Sequence, residues 1–242
     1  MNLFIDLETT GLPKTKGFCK WYDYTELDKY ESSRIIEMGI VITNNDGETI
    51  VEYSSLVKPN NFGSLLPIIT KITGITNSNI NSEGIPIREV FDVLKKHLSG
   101  IGKIISYNIG FDMNILLSEL HRINDTEMID MINNIDHECA MELSKQVLKL
   151  DKFPKLCNLY KDLFKKESKQ EHRALSDTHI CKDVYFELKK RQEENNRPPQ
   201  ISLREYVSMY RQGCDYYDEE GDPFDPDNAA NWDGDQQIGF RD

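Results

Sequence analysis

Asp6 and Glu8 are separated by one residue near the start of the chain, within Met-Asn-Leu-Phe-Ile-Asp-Leu-Glu-Thr-Thr-Gly-Leu at residues 1–12. Residues 2–5 read as a short apolar strand. On an extended backbone both carboxylates then project from one face, with Leu7 on the other. Gly11 lets the chain turn, and Pro13 stops the strand. Two neighbouring carboxylates repel each other unless a cation neutralises them. Hard divalent ions favour carboxylate oxygens, so the pair reads as candidate metal ligands. Solvated acids at a strand end are the commoner meaning of a bare Asp-x-Glu, so the rest of the chain must decide.

The stretch closely resembles the first motif of the DnaQ-like 3′→5′ exonucleases, a family with a ribonuclease-H-like fold. The resemblance implies four metal-binding acids in three motifs, with a His or Tyr in the third. A further acid should follow a strand and open a helix, and a His-x-Ala-x-x-Asp pattern should come later. Both are present, as Asn108-Ile-Gly-Phe-Asp112 after an apolar run and His172-Arg-Ala-Leu-Ser-Asp177 before a helical stretch. Three ordered matches are far harder to obtain by chance than one. The histidine assigns the chain to the DEDDh branch.

Phosphodiester hydrolysis needs an activated water, an in-line leaving 3′ oxygen and stabilised charge on the phosphoryl group. Two divalent ions about 3.5–4 Å apart can supply all three. Mg²⁺ or Mn²⁺ is the expected pair, with Mg²⁺ suited by its preference for water, carboxylate and phosphate oxygens. By resemblance, Asp6 bridges the ions, Glu8 and Asp177 complete the nucleophile side, and Asp112 holds the second ion. His172 and Asp177 are five positions apart, a rotation of about 140° on a continuous helix. His172 is therefore expected on a loop or first turn, with Asp177 just inside the helix. A histidine suits proton removal from water near neutral pH. His97, His121, His137 and His179 read as structural or solvated. The resemblance also implies that Thr9, Thr10 and Leu12 contact the terminal nucleotide.

These groups need a scaffold. Residues 34–42 form a buried strand, Asn45-Asp-Gly47 is a hairpin signal, and residues 48–57 return. With residues 2–5 they make an antiparallel meander. Residues 13–33 read as an excursion with a helical turn near 25–30. Apolar residues at 87, 90, 91, 94 and 98 give a helical stripe. Residues 103–106 are a short buried strand delivering Asp112 to a helix over 111–123. A last strand is expected within 128–135, and helices near 68–72, 139–149, 155–166 and 177–192. The expected fold class is α/β, a mixed five-stranded sheet flanked by helices, and the resemblance makes it ribonuclease-H-like.

Residues 1–197 are the expected exonuclease domain, and residues 198–242 an acidic, partly disordered tail. The net charge of −12 is uneven: the tail holds eleven acids against three arginines. The remainder is far less acidic, so a phosphodiester substrate is not excluded. Eight lysines between Lys145 and Lys169 against three acids form a basic stretch that could hold a nucleic-acid backbone by counterion release. The tail spaces Tyr216, Tyr217, Phe224, Trp232 and Phe240 among its acids, as docking segments for a protein partner often do. Five scattered cysteines fit neither a disulfide framework nor a zinc site. No apolar run approaches the ~20 residues of a membrane span, and no signal core precedes the first strand, so an intracellular protein is expected.

The expected activity is metal-dependent 3′→5′ hydrolysis of a nucleic acid, single-stranded DNA or RNA with a 3′ end, releasing nucleoside 5′-monophosphates, with DNA processing favoured over RNA trimming. Two other classes compete: a non-catalytic adaptor working through the acidic aromatic tail, and a phosphatase acting on mononucleotides. Loss of an acid or of the histidine would favour the adaptor, and all five groups are present.

Overall fold

The alternation of side chains along one strand, β1 (Asn2–Thr9), sets the layering. Leu3, Ile5 and Leu7 enter one apolar cluster, whereas Phe4 enters another on the opposite face. Because the strand period is two, Asp6 and Glu8 share the face of Phe4. The computed structural model describes residues 1–167 and 172–197.

After β1 the chain makes a small hairpin, β2 (Thr15–Gly17) and β3 (Lys20–Trp21), paired only with itself. It then enters β4 (Ile35–Thr43) and β5 (Thr49–Lys58). Every residue of β4 is buried, as expected of a strand covered on both faces. Two short helices follow, α1 (Pro67–Thr73) and α2 (Asn77–Glu83), then β6 (Ile85–Pro86) and α3 (Ile87–Leu98). Thr76 and Asn79 close a capping box on α2. Next come β7 (Lys103–Ser106), α4 (Ile109–Arg122), α5 (Thr126–Asn133) and β8 (Asp136–Cys139). The unit closes with α6 (Ala140–Val147), α7 (Leu156–Phe164) and α8 (Ala174–Asn196). Met1–Asn196 packs as one compact unit.

The main sheet runs β6-β5-β4-β1-β7-β8. β1, β4 and β5 form the expected antiparallel meander, while β7 and β8 add in parallel beyond β1. The mixed α/β class holds, but the sheet has six strands where five were expected. The sixth is the two-residue β6, which pairs in parallel with Val57 and Lys58. So short a strand carries no apolar period and arises only from that pairing.

A second correction concerns residues 128–135. These belong mainly to α5, and the last strand lies just beyond, at Asp136–Cys139. Asp125 caps α5 by accepting from the Met128 N–H at 3.1 Å, and Met128, Ile129 and Ile132 are buried at helical spacing. β8 has a polar sequence with only Cys139 buried, and its backbone ladder with β7 is what makes it a strand. In the excursion, the expected helical turn is a 3₁₀ turn at Leu27–Lys29, and the β2–β3 hairpin was not anticipated.

One face of the sheet is covered by α3, α4 and α5, whose Val90, Leu94, Ile115, Leu116 and Met128 join the cluster under Leu3 and Ile5. The other is covered by α6, α7 and α8, which surround Phe4, Val41 and Ile105. No helix among the described residues is long and apolar enough to cross a membrane.

Candidate active site

β1 and β7 pair in parallel only from Asn2↔Lys103 to Phe4↔Ile105. Beyond that point β7 ends and α4 begins, which opens a crevice at the carboxyl ends of two parallel strands. Open α/β sheets commonly place their ligands in such crevices. The freed Leu7 N–H donates to Asp112 Oδ1 at 3.2 Å, and the Ser106 hydroxyl donates to Asp112 Oδ2. Both hydrogen bonds fix a carboxylate that is almost fully buried in the first turn of α4.

Asp177 arrives from the opposite side, in the first turn of α8. That helix lands on β4 at Gly39, the register partner of Asp6. A Cβ on Gly39 would lie 2.4 Å from the Leu175 nitrogen and 2.5 Å from the Ala174 carbonyl carbon, so no larger residue permits this approach. The Thr178 hydroxyl reaches the carbonyls of Gly39 and Ala174 at 3.2 and 2.7 Å. The result is one carboxylate oxygen from each of Asp6, Glu8 and Asp177, all within 4.8 Å of one another. Asp112 lies outside that triplet but beside Asp6.

The crowding shows in proton affinity. Burial, and then the charges of Asp112, Glu8, Asp177 and Glu37, hold Asp6 well above the usual carboxylate range. Burial, followed by Asp177, Glu37 and Asp112, pushes Glu8 up to about 8, against a lowering pull from Arg173. Burial also raises Asp112 to about 7, although its hydrogen bonds from Ser106 and Leu7 favour the charged form. Converging oxygen donors with this excess negative charge fit a hard divalent cation.

This has a consequence for stability. Glu8 and Asp112 keep protons in the folded protein that they release when unfolded. The stability so gained is complete below their ordinary values near 4 and is lost as pH rises through about 7 to 8. Without metal, the melting temperature should therefore fall between about pH 5 and 8.5. Added Mg²⁺, which needs the ionised acids, should recover more of it at pH 8 than at pH 5.5. A metal-free melting temperature independent of pH would contradict the electrostatics described.

His172 stands two residues before α8, exposed, with φ of 46°. It is off the helix, and Asp177 lies within its first turn, as the spacing requires. Thr9 and Thr10 use their hydroxyls internally. Thr9 donates to the Gly11 carbonyl at 2.7 Å; Thr10 donates to the Ser32 carbonyl at 3.0 Å and accepts from the Arg34 N–H at 2.9 Å. Leu12 is exposed beyond them. Of the other histidines, His137 meets the Ile132 carbonyl, His179 meets Glu52 and His121 packs edge-on to Tyr24. In the lysine-rich stretch, Lys155 and Lys165 flank α7 and Lys161 pairs with Glu167, while Lys169 lies outside the described residues.

One residue escaped the sequence reading. Glu37, fully buried on β4, is the register partner of Glu8. Its carboxylate accepts from Arg173 Nε at 3.0 and 3.1 Å, from Arg173 Nη2 at 2.6 Å, and from the Ala174 N–H at 3.0 Å. It thus caps α8 from a neighbouring strand and anchors the segment between His172 and Asp177. A glutamate inside an apolar strand, Ile-Ile-Glu-Met-Gly-Ile, was the available signal.

The sequence model of the RNase_T family, described as Exonuclease, matches residues 3–185. No curated protein matches the sequence. Among solved structures, exonuclease X in complex with 5′-overhanging duplex DNA is 21% identical, covering 80% of this chain and 93% of that one, with a TM-score of 0.53. S. pombe Pop2p in its Mg²⁺- and Mn²⁺-bound form is 18% identical, covering 81% and 86%, with a TM-score of 0.62. E. coli exonuclease I in complex with a dA16 oligonucleotide is 18% identical, with a TM-score of 0.61; the match covers 80% of this chain but only 41% of that one. At such identities the likeness is one of fold.

Proposed function

The chain belongs to the exonuclease family of DnaQ-like proteins, and from that membership we propose that it removes nucleotides from the 3′ end of single-stranded nucleic acid, DNA in preference to RNA. The observation that carries this reading is the convergence of Asp6, Glu8 and Asp177 within 4.8 Å, with Asp112 alongside. The DNA-bound states of exonuclease X and exonuclease I support the preference for DNA.

Asp6, Glu8, Asp177 and Asp112 would hold two Mg²⁺ or Mn²⁺ ions. Bound there, such ions activate a water, neutralise the phosphoryl oxygens and support the leaving oxygen. His172 takes a proton from the attacking water as its oxygen bonds to phosphorus. The bond from phosphorus to the 3′ oxygen breaks, that oxygen takes a proton from solvent to become the 3′-hydroxyl of the shortened strand, and a nucleoside 5′-monophosphate leaves. The lone-pair geometry is set from beneath: Ser106 and Leu7 orient Asp112, and Glu37 seats the turn that carries His172. Thr9 and Thr10 shape the turn at the terminal nucleotide, Thr10 with its N–H donated to the Arg34 carbonyl at 2.9 Å, and Leu12 meets the base.

The test is incubation of 3′- and 5′-labelled single- and double-stranded DNA and RNA with Mg²⁺ or Mn²⁺. The 5′ label should appear on a ladder shortening from the 3′ end, and the 3′ label on a mononucleotide at the earliest times. Free phosphate as the first product would instead make the protein a phosphatase. In this reading residues 198–242 serve a protein partner rather than the chemistry. A chain shortened to residues 1–197 should therefore cleave short single strands at close to the full-length rate.

A further inference from the structure

The hairpin β2–β3 contributes no residue to the buried core, and every residue of β2 is exposed. Its turn nevertheless carries Phe18, with 76% of its surface exposed. The ring stacks on Phe153 from the α6–α7 connection, with centroids 5.8 Å apart and planes 23° from parallel. Lys145 Nζ lies 4.9 Å from the centre of the Phe153 ring, and Lys16 Nζ lies 4.7 Å from that of Tyr22. Of the hairpin's lysines, Lys16 lies near Asp23 and Lys14 near Asp28, and Lys20 follows the turn that carries Phe18. Glu142 lies near Cys19, and Asp151 and Asp162 share a pocket with Phe153 and Lys152.

The hairpin is also held at the mouth of the crevice. Trp21 packs edge-on to Phe111, the neighbour of Asp112, with ring centroids 5.9 Å apart. It presses so closely on the start of α4 that a Cβ on Gly110 would lie 2.5 Å from its Nε1. The hairpin that carries Phe18 is therefore tied to the helix turn that carries Asp112.

We propose that Phe18 and Phe153, with Lys145 over the Phe153 ring and Lys20 and Lys152 next to the two rings along the chain, form a stacking platform for the single strand that leads into the acidic crevice. This rests on the exonuclease reading and adds how the strand is held upstream of the cleaved bond. Bases offer flat π-faces and the strand offers regularly spaced phosphates; aromatic rings among lysines match both. An apolar protein partner would leave the lysines desolvated and unpaired.

The experiment measures binding of fluorescent (dT)₁₂ to the full-length chain with Ca²⁺ in place of the catalytic ion, and KM for (dT)₁₂ and for the dinucleotide pdTpdT with Mg²⁺. Phe18→Ala should weaken (dT)₁₂ binding ~10–100-fold, the loss of one to two stacked bases. Its effect on KM should be far smaller for the dinucleotide. Phe18→Trp, which retains a larger ring, should restore binding. Lys145→Glu should flatten the salt dependence by about one unit of slope. Unchanged (dT)₁₂ binding by Phe18→Ala would overturn the proposal and leave the patch as a protein-docking surface. Equal losses on both substrates would also overturn it, because the hairpin would then act on the crevice itself. A wild-type chain that degrades neither substrate refutes the exonuclease reading, a separate failure.

Discussion

Asp6→Asn should leave a folded protein whose hydrolysis of a 3′ end falls by at least ~10³-fold. Removing a single electrostatic stabiliser of a transition state already costs about 10²–10³-fold, and Asp6 would be a ligand at the centre of the acid cluster. The substitution keeps the side chain's size but removes the charge that Asp112, Glu8 and Asp177 crowd. Its effect on stability should have the opposite sign. Without metal the variant should melt at a higher temperature than wild type near pH 8, because one source of repulsion is gone. It should also lose most of the melting shift produced by Mg²⁺. Asp177→Asn should behave alike. Excess chelator should silence the wild type, with activity restored by Mg²⁺ or Mn²⁺. Wild-type turnover that persists in excess chelator would sink the metal assignment.

His172→Asn should slow cleavage by ~10²–10⁴-fold, the usual contribution of a general base. Asparagine is the informative replacement because His172 has φ of 46°, a left-handed conformation that Asn tolerates better than Ala. Any loss then reports the missing imidazole and not a strained backbone ahead of α8. Metal binding measured by calorimetry should change little, since the four acids remain. Loss of metal binding along with the histidine would make His172 a ligand and remove its role as base.

Both expectations depend on Glu37, and its role marks a limit of sequence reading. Arg173 and Glu37 are 136 residues apart. Their pairing exists because β1 and β4 align Glu8 with Glu37 and because Gly39 lets the start of α8 touch the sheet. In the sequence Glu37 is only a polar residue in an apolar run, an exception to be explained. Asp112 is a similar case. Its place at a helix start was readable, but its separation from the other three acids follows from the hydrogen bonds of Leu7 and Ser106.

What the sequence determined by itself was the set of groups that can share a face. A period of two places Asp6 and Glu8 on one side of β1, and the apolar stripe of residues 87–98 defines the buried side of α3. The five-position offset from His172 to Asp177 keeps the histidine off the helix, and the motif order assigned the family. The tertiary structure alone decided which faces meet: that β8 is a strand at all, that the residue 13–33 excursion folds over Phe111, and that Glu8 lies opposite Glu37. The physical reason is one of range. Side-chain period and backbone preference act within a single element, whereas register and close approach depend on partners far along the chain.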